Sequence, residues 1–295
     1  RPPRSTPLYS SAASDVYKRQ MIDKAEAGEL KNFRKIKAKE LWKKMLKVLF
    51  ETSHPWITFK DPSNIRYSNQ HEGTVHSSNL CTEILLHTKP SVYKDGEKTI
   101  VGETAVCNLG SVKLNNHLIQ SESGKFKLNR DLLASTIKTA VRLLDNVVDL
   151  NFYPTKEAAN SNLQHRPVGL GMMATHDVLQ LVDVQYDSDE AVKYIDELTE
   201  FFSYNAILSS SELAQERGSY KTFSGSLWDK GQLPIDTYNK LLDFRKKSGS
   251  KPAGGKLNWS EVRESISKYG IRNSNIMAIA PTATIGYINL SLIHI

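Results

Sequence analysis

The residues SSNLCTE, at positions 77–83, decide how the rest of this chain is interpreted. They place a thiol at Cys81, an amide at Asn79 and a carboxylate at Glu83. In an extended segment side chains alternate between two faces, so these three would project to the same side. An amide, a sulfur and a base on one face are the components of a reactive site. The competing interpretation is structural, because a lone buried cysteine is more often a small hydrophobic residue than a reactive group.

Length and composition are those of a globular enzyme. The chain has 295 residues, of which 39% are hydrophobic and 24% are charged. That is enough for one large domain or two modest ones with an ample core. No apolar run approaches the roughly eighteen residues of a membrane span, so we expect a soluble protein with no membrane partner. Two cysteines and no secretory segment near the start predict a reducing, cytoplasmic setting.

The net charge of +7 invites a nucleic-acid interpretation until the charge is located along the chain. Residues 1–60 hold 14 Lys or Arg and 6 Asp or Glu, whereas residues 61–295 hold 25 and 26. The basic excess is concentrated in residues 31–47, which is typical of a solvated helix face. We therefore expect no nucleic-acid partner.

The two ends of the chain differ in character from its middle. Residues 1–20 are rich in Pro and Ser and lack a periodic apolar pattern. Residues 10–20 and 291–295 resemble translated sequencing-adapter read-through, so we expect residues 1–20 and 291–295 to be non-native. On that view residues 21–290 are the folded part of an open-ended fragment.

Hydrophobic periodicity and turn residues predict the secondary structure of residues 21–290. The polar residues 89–102 are expected to form a surface excursion, and residues 61–64 a turn. Predicted helices cover residues 35–51, residues 129 or 131 to 148 with an apolar stripe from Leu132 to Val148, and residues 165–172, 189–216, 238–244 and 260–269. Predicted strands cover residues 56–59, 84–86, 104–114 and 275–280.

A second cysteine and a threonine turn complete the candidate site. Cys107 lies in the apolar, strand-like stretch at 104–114, and if this stretch is a neighbour of residues 77–86 both thiols can approach one pocket. The turn PTATIG, residues 281–286, follows a buried strand, so its backbone N–H groups and Thr side chains can converge on an anion. An ordinary strand-to-helix turn explains it equally well. Close backbone packing explains Gly169 and Gly171 better than phosphate binding does.

A zinc module is a further alternative, because His71, His76 and Cys81 recur every five residues. This spacing matches no common zinc pattern, and the two cysteines form no Cys-x-x-Cys motif. We therefore expect no metal ligands in this chain.

Four stretches, taken together and in this order, resemble the large, catalytic subunit of class I ribonucleotide reductases. They are SNLCTE (78–83), AVCNLGSVKL (105–114), RPVGLG (166–171) and APTATIG (280–286), and the resemblance spans roughly residues 30–289. It implies an α/β fold, part of a ten-stranded α/β barrel with a central finger loop that carries Cys81 at its tip. Residues 21–290 would be the C-terminal portion of that catalytic barrel domain, with the N-terminal half missing.

The resemblance also implies roles for individual residues. Cys81 would be the thiyl radical that takes the 3′ hydrogen of a ribose, Glu83 the general base, and Asn79 a hydrogen-bonding partner of the substrate. Cys107 would be one member of the cysteine pair that closes to a disulfide. The residues implied in substrate binding are Ser78, Asn79, Leu80, Cys81, Thr82 and Glu83 in the finger loop, and Pro281, Thr282, Ala283, Thr284 and Ile285 in the diphosphate-binding turn.

The implied partners are ribonucleoside diphosphates as substrates, a second copy of the large subunit, and a metal-containing small subunit that supplies the radical. No cofactor is expected to bind this chain directly, ATP and dNTP effectors would bind in regions missing here, and thioredoxin or glutaredoxin would be the reductant. The second redox cysteine, the tyrosine pair that relays the radical and the C-terminal cysteines of the family are also missing. We therefore expect activity in the intact protein and none in this polypeptide by itself.

Two other functions remain open at this point. An adenosylcobalamin-dependent reductase carries the same finger-loop cysteine and a similar Cys-Asn-Leu segment, and it would need no second subunit. A non-catalytic binding or assembly module would contain Cys81 only as a buried side chain, and Cys81→Ser would then leave nucleotide reduction unaffected.

Overall fold

The computed structural model describes residues 11–246 and 255–291, with side chains described for residues 19–246 and 255–287. This part of the chain contains both helices and strands. The helices are α1 (Ser11–Glu26), α2 (Ala38–Thr52), α3 (Lys60–Arg66), α4 (Arg130–Leu150), α5 (Lys156–His165), α6 (Thr175–Leu181), α7 (Asp189–Arg217), α8 (Pro234–Arg245), α9 (Trp259–Tyr269) and α10 (Ala283–Ser291). The strands are β1 (Val92–Lys94), β2 (Glu97–Ile100), β3 (Asn108–Lys113), β4 (Leu118–Gln120), β5 (Phe126–Leu128) and β6 (Val168–Met173).

Parallel pairing of β3 with β6 forms the centre of the fold. The register runs from Asn108 opposite Val168 to Lys113 opposite Met173. Residues 275–278 extend this sheet on the far side of β6, because Val168 N donates to Asn275 O and Ala278 N donates to Leu170 O. The hairpins β1–β2 and β4–β5 are antiparallel. The fold is mixed α/β, as predicted, and the described strands do not close into a barrel.

Helix α4 covers one face of the parallel strands, and α7 packs against α4. The apolar stripe of α4 begins after Asn129, whose side chain caps the helix by accepting the backbone N–H of Leu132. The predicted stripe is buried from Leu133 to Val148, although Leu132 itself is 46% exposed. These side chains pack against alternate residues of the strands, such as Val112 and Leu170, in a single core cluster.

A buried ion cluster joins α4 to the segment that enters β6. Asp145 on α4 is completely buried and accepts hydrogen bonds from Arg166 Nε at 2.9 Å and from Arg217 and Arg272 at 3.2 Å. Arg166 also pairs with Asp149, one helical turn further along. Burial opposes the charge of Arg166, but the hydrogen bonds that it donates to both carboxylates raise its pKa.

Other predicted elements are also present. Helix α7 ends at Gly218, where φ is +80°, and α9 ends at Gly270, where φ is +75°. Helix α2 forms as predicted, but it buries none of its side chains among the described residues. The surface excursion at 89–102 contains the exposed β1–β2 hairpin. No described helix combines the length and the apolar character that a membrane span requires.

Three local predictions are wrong. Residues 168–173 form the buried strand β6 and not a helix, because α5 ends at His165 and Arg166 takes a left-handed φ of 48°. The small and apolar residues that follow fit a strand that is covered on both faces. Residues 56–59 lie in irregular backbone between helices, and the predicted turn at 61–64 lies within α3, where Pro62 is tolerated in the first turn.

Candidate active site

Residues 79–84 form a tight turn, not the extended segment that was predicted. Thr82 N donates to Asn79 O at 3.2 Å, and Thr82 takes a left-handed φ of 66°. The side chain of Asn79 closes the turn, because its Oδ1 accepts the backbone N–H of Ile84 at 3.1 Å. The side-chain alternation of a strand therefore does not apply here. Cys81 instead lies at the tip of a turn that local hydrogen bonds hold.

The residues around the tip differ in exposure. Leu80 is 88% exposed, whereas Ser78, Cys81, Thr82 and Glu83 are half-buried. The chain then descends through residues 84–88 in irregular backbone, so the buried strand predicted at 84–86 is absent there, although Leu86 is buried.

Cys107, on the returning leg of this loop (residues 103–107), packs against the outgoing leg (residues 84–89). It lies directly before β3, where it contacts the apolar cluster of Tyr67, Val75 and Leu86, together with Ile84. Burial, and secondly the negative charge of the Glu83 carboxylate, raise the pKa of Cys107 to about 12. Cys107 is therefore a neutral thiol at physiological pH. Neither it nor Cys81 is in a disulfide.

The carboxylate of Glu83 is incompletely satisfied. Its Oε2 atom is buried and has no hydrogen-bond partner among the described residues. Buried polar atoms are nearly always paired in folded proteins, so an unpaired carboxylate oxygen beside a thiol is suited to receive a hydrogen bond from a ligand. The stretches that carry Glu83 and Cys107 are thus neighbours, and the charge of Glu83 acts on the Cys107 thiol.

The thiol of Cys107 faces away from the covering helix α4. A Cβ at Gly169 of β6 would lie 2.5 Å from Leu109 Cδ2 and 3.4 Å from Cys107 Sγ, so these side chains share one face. A Cβ at Gly110 would instead contact Leu144 of α4. The glycine at 169 is thus required by close packing, as predicted, although in a strand and not in a helix.

The threonine turn lies at the other end of the parallel strands. Residues 275–278 pair with β6 in the parallel sense, and the chain then passes through Pro281 and Thr282 into α10. Thr282 is half-buried, whereas Pro281, Ala283, Thr284 and Ile285 are exposed. Since Cys107 precedes β3 and the turn follows residues 275–278, the two lie at opposite ends of the same face. A helix begins at this turn, which fits both alternatives, an anion-binding loop and an ordinary strand-to-helix turn.

The residues of the zinc alternative do not come together. His71 Nε2 lies 2.9 Å from Thr222 O, and His76 Nδ1 lies 3.0 Å from Lys60 Nζ. Within residues 19–246 and 255–287, the group of at least three His, Cys, Asp or Glu side chains with closely spaced ligand atoms is a different one, His87, Glu103 and His165.

The sequence analysis did not identify Glu103. Its neighbours in space come from distant parts of the chain, and no local motif relates them. A cleft of about 530 Å³ between α7, α8 and α9, lined by residues such as Arg66 and Trp259, was likewise not expected and contains none of the candidate site residues.

Comparison with known proteins agrees with this arrangement. The family model described as the ribonucleotide reductase barrel domain matches residues 3–292. The chain belongs to this family. Among curated relatives, it is 51% identical to the ribonucleoside-diphosphate reductase subunit alpha of Chlamydia pneumoniae over 266 residues, which cover 90% of this chain and 24% of that protein. It is 36% identical to the subunit alpha of Helicobacter pylori, with 95% and 39% covered, and 37% identical to the large subunit of Caenorhabditis elegans, with 84% and 28% covered.

The chain thus spans between about a quarter and two fifths of the length of these reductase subunits. The described strands do not close into a barrel, which is consistent with a part of the reductase barrel domain. In that family context, the loop that carries Cys81 and the face that carries Cys107 are the candidate catalytic surface.

Proposed function

We propose that this chain is part of the catalytic subunit of a class I ribonucleoside-diphosphate reductase, which converts ribonucleotides to deoxyribonucleotides by thiyl-radical chemistry. The observation that carries the proposal is the buried, unpaired Oε2 of Glu83. Glu83 lies on the turn that presents Cys81, and its charge acts on the thiol of Cys107. A radical sulfur, a base and a reducing thiol are the three groups that the reaction needs.

Each of these groups has a definite task in the reaction. The Cys81 radical takes a hydrogen atom from C3′ of the ribose, and Glu83 accepts the proton of the 3′-hydroxyl, which eases the loss of water from C2′. Cys107 and a second thiol supply two electrons and close to a disulfide. A neutral Cys107, as its raised pKa implies, retains the proton that the departing hydroxyl needs to leave as water.

Asn79 and the threonine turn orient the substrate. Asn79 Oδ1 is engaged with the backbone of Ile84, so its NH₂ group is the part that can donate to the ribose. The turn of residues 281–285 holds the diphosphate at the N-terminus of α10, where backbone N–H groups favour an anion. The nucleotide then lies lengthwise along the face that carries Cys107 and Gly169.

The rest of the holoenzyme follows from this assignment. The missing part of the subunit completes a ten-stranded barrel around the finger loop and contributes the second redox cysteine and the sites for ATP and dNTP effectors. A metal-containing small subunit supplies the radical, the large subunit forms a homodimer, and thioredoxin or glutaredoxin reduces the disulfide in the cytoplasm. By itself the chain is then inactive.

The test is Cys81→Ser in the intact subunit, with Ser77→Ala on the same loop as the matched control. We expect the serine variant to lose ribonucleoside-diphosphate reduction by at least about a thousandfold, since an alcohol does not replace the sulfur radical. Ser77→Ala should retain activity. Undiminished reduction by the Cys81→Ser protein would refute the proposal, and reduction that requires added cobalamin but no second subunit would favour the adenosylcobalamin-dependent class.

A further inference from the structure

The carboxylate of Glu103 is the centre of a buried hydrogen-bond cluster outside the reacting groups. Its side chain is 5% exposed. Oε2 accepts from His87 Nε2 and from His165 Nε2, both at 2.7 Å, and Oε1 accepts from Lys89 Nζ at 2.9 Å. Burial would raise the pKa of Glu103, but these hydrogen bonds outweigh it and lower the pKa below its ordinary value. Glu103 is therefore a carboxylate at physiological pH.

The outer partners of the two imidazoles assign their tautomers. Tyr67 Oη lies 2.6 Å from His87 Nδ1, and Thr222 Oγ1 lies 2.7 Å from His165 Nδ1. Each hydroxyl can donate to Nδ1 while Nε2–H donates to Glu103. Every ring nitrogen of the two histidines then has a hydrogen-bond partner.

The spacing of these groups is that of hydrogen bonds and not of a metal site. Zinc at about 2.0–2.1 Å from each ligand would hold the ligand atoms about 3.3 Å apart in a tetrahedron, whereas the two imidazoles lie 2.7 Å from the Glu103 oxygen. The Lys89 ammonium already pairs with the other oxygen of that carboxylate, and a second cation there would be repelled.

The cluster connects the two legs of the loop at their base. His87 follows Glu83 on the outgoing leg, and Glu103 precedes Cys107 on the returning leg. Lys89 and Glu103 also exchange backbone hydrogen bonds, at 3.0 Å and 2.8 Å. The position of Glu83 along the outgoing leg relative to Cys107 on the returning leg is therefore fixed by the hydrogen bonds at Glu103.

The same carboxylate fixes the loop to the parallel strands. His165 is the last residue of α5, immediately before the segment that enters β6, and Gly169 of β6 abuts the sulfur of Cys107. Through His165, Glu103 therefore links the returning leg to the strand on which Cys107 rests.

We propose that Glu103 is a positioning residue, which sets the spacing of the Cys107 thiol and the Glu83 carboxylate by accepting hydrogen bonds from His87, His165 and Lys89. The inference rests on the proposed function for its effect on turnover, but not for its effect on the thiol. A carboxylate is required, because a Gln side chain that keeps its oxygen between the two imidazole donors would turn its NH₂ group toward the Lys89 ammonium.

The test compares Glu103→Gln with Glu72→Gln in the intact subunit. Glu72 also pairs with Lys89, at 2.8 Å, but its hydrogen bond reaches neither His87 nor His165. We expect Glu103→Gln to lower kcat at least tenfold with KM for the nucleoside diphosphate changed less than twofold, because the diphosphate is held at a separate turn. Glu72→Gln should change neither constant more than twofold.

A second readout needs no turnover. The pH dependence of Cys107 alkylation, followed on its peptide by mass spectrometry, should shift to lower pH by at least one unit in Glu103→Gln, because Glu83 moves away and water enters. Unchanged kcat and an unchanged alkylation profile in folded Glu103→Gln would overturn the inference. An inactive wild-type subunit, assayed together with the small subunit and the reductant, would overturn the proposed function only, since the alkylation profile would still decide the role of Glu103.

A pair of His165 variants separates positioning from folding. His165→Gln keeps an N–H donor near the position of Nε2, whereas His165→Phe keeps a ring without a donor. We expect the Gln variant to recover the wild-type alkylation profile and most of kcat, and the Phe variant to behave like Glu103→Gln. Equal behaviour of the two His165 variants would contradict the assignment, and this pair also decides the case if Glu103→Gln does not fold.

Discussion

The charge of the Glu83 carboxylate acts on the Cys107 thiol, although the two residues belong to opposite legs of a loop. Their proximity depends on the tight turn at residues 79–84, on the apolar cluster that holds the returning leg, and on the hydrogen bonds that Glu103 accepts. An anion next to a thiol disfavours the thiolate, and burial acts in the same direction. The pair therefore has a measurable titration signature.

Replacing Glu83 by Gln should lower the pKa of Cys107 from about 12, because it removes the second cause of the shift and leaves burial as the first. The rate of Cys107 alkylation between pH 8 and about 11 should rise accordingly, since the thiolate is the reactive form. Glu122→Gln, at the exposed turn between β4 and β5, is the control and should leave the rate unchanged. An identical profile in both variants would mean that the Glu83 charge does not reach the thiol.

Glu103 should make the fold sensitive to acid. Its pKa in the folded state lies below the ordinary glutamate value of about 4.3, so it stabilises the fold above that pH, and the stabilisation is lost as the pH falls through the folded pKa. Thermal unfolding midpoints between pH 6 and pH 3 should therefore fall more steeply in wild type than in Glu103→Gln.

At pH 7 the same Glu103→Gln variant should be destabilised by about 1–3 kcal/mol, because the Lys89 ammonium loses one of its two carboxylate partners and faces an NH₂ group. Glu122→Gln is again the control and should retain the wild-type stability and pH slope. If the unfolding midpoints of wild type and Glu103→Gln fall in parallel with pH, the carboxylate of Glu103 is not the source of the acid sensitivity.

Replacing Gly169 by Ala should disturb the thiol face. The added methyl group would lie 2.5 Å from Leu109 Cδ2 and 3.0 Å from Ala278 Cβ, so neighbouring side chains must shift, at a cost of about 1–3 kcal/mol. Gly110→Ala is the matched control on the adjacent strand, where the nearest atom is 3.5 Å away and the contact is ordinary. Thermal unfolding should show a clearly larger loss of stability for Gly169→Ala than for Gly110→Ala. Equal losses of stability would contradict the close packing described for β6.

Replacing Asp145 by Asn should destabilise the protein by about 3–5 kcal/mol, because it leaves the guanidinium of Arg166 with one carboxylate partner fewer in a buried site. Asp149→Asn is the control on the same helix. Its carboxylate is 51% exposed and water can replace it, so we expect a loss of about 1 kcal/mol or less. Urea unfolding, with hydrogen exchange of the α4 amides, would compare the stability of the two variants. Similar losses of stability would show that burial of the carboxylate does not determine the cost of its removal.

Local patterns were sufficient where the structure repeats along the chain. The stripe of α4, its cap at Asn129 and the glycine at the end of α7 depend on neighbours in sequence, so periodicity and capping rules predicted them. The pattern at residues 168–173 was misread, because small and apolar residues fit a fully buried strand as well as a tightly packed helix. Only pairing with β3, a long-range contact, distinguishes the two.

The sequence by itself determined which family of proteins the chain resembles and, through that resemblance, predicted Cys81, Glu83 and Cys107 as the reacting side chains of the candidate site. Tertiary structure alone decided that residues 79–84 turn and do not extend, that the charge of Glu83 acts on Cys107, and that Glu103 joins His87 to His165. The physical reason is that motif residues are fixed by the reactivity of their own atoms. Burial, charge proximity and hydrogen-bond partners arise between segments that are distant in the chain, and no local pattern encodes them.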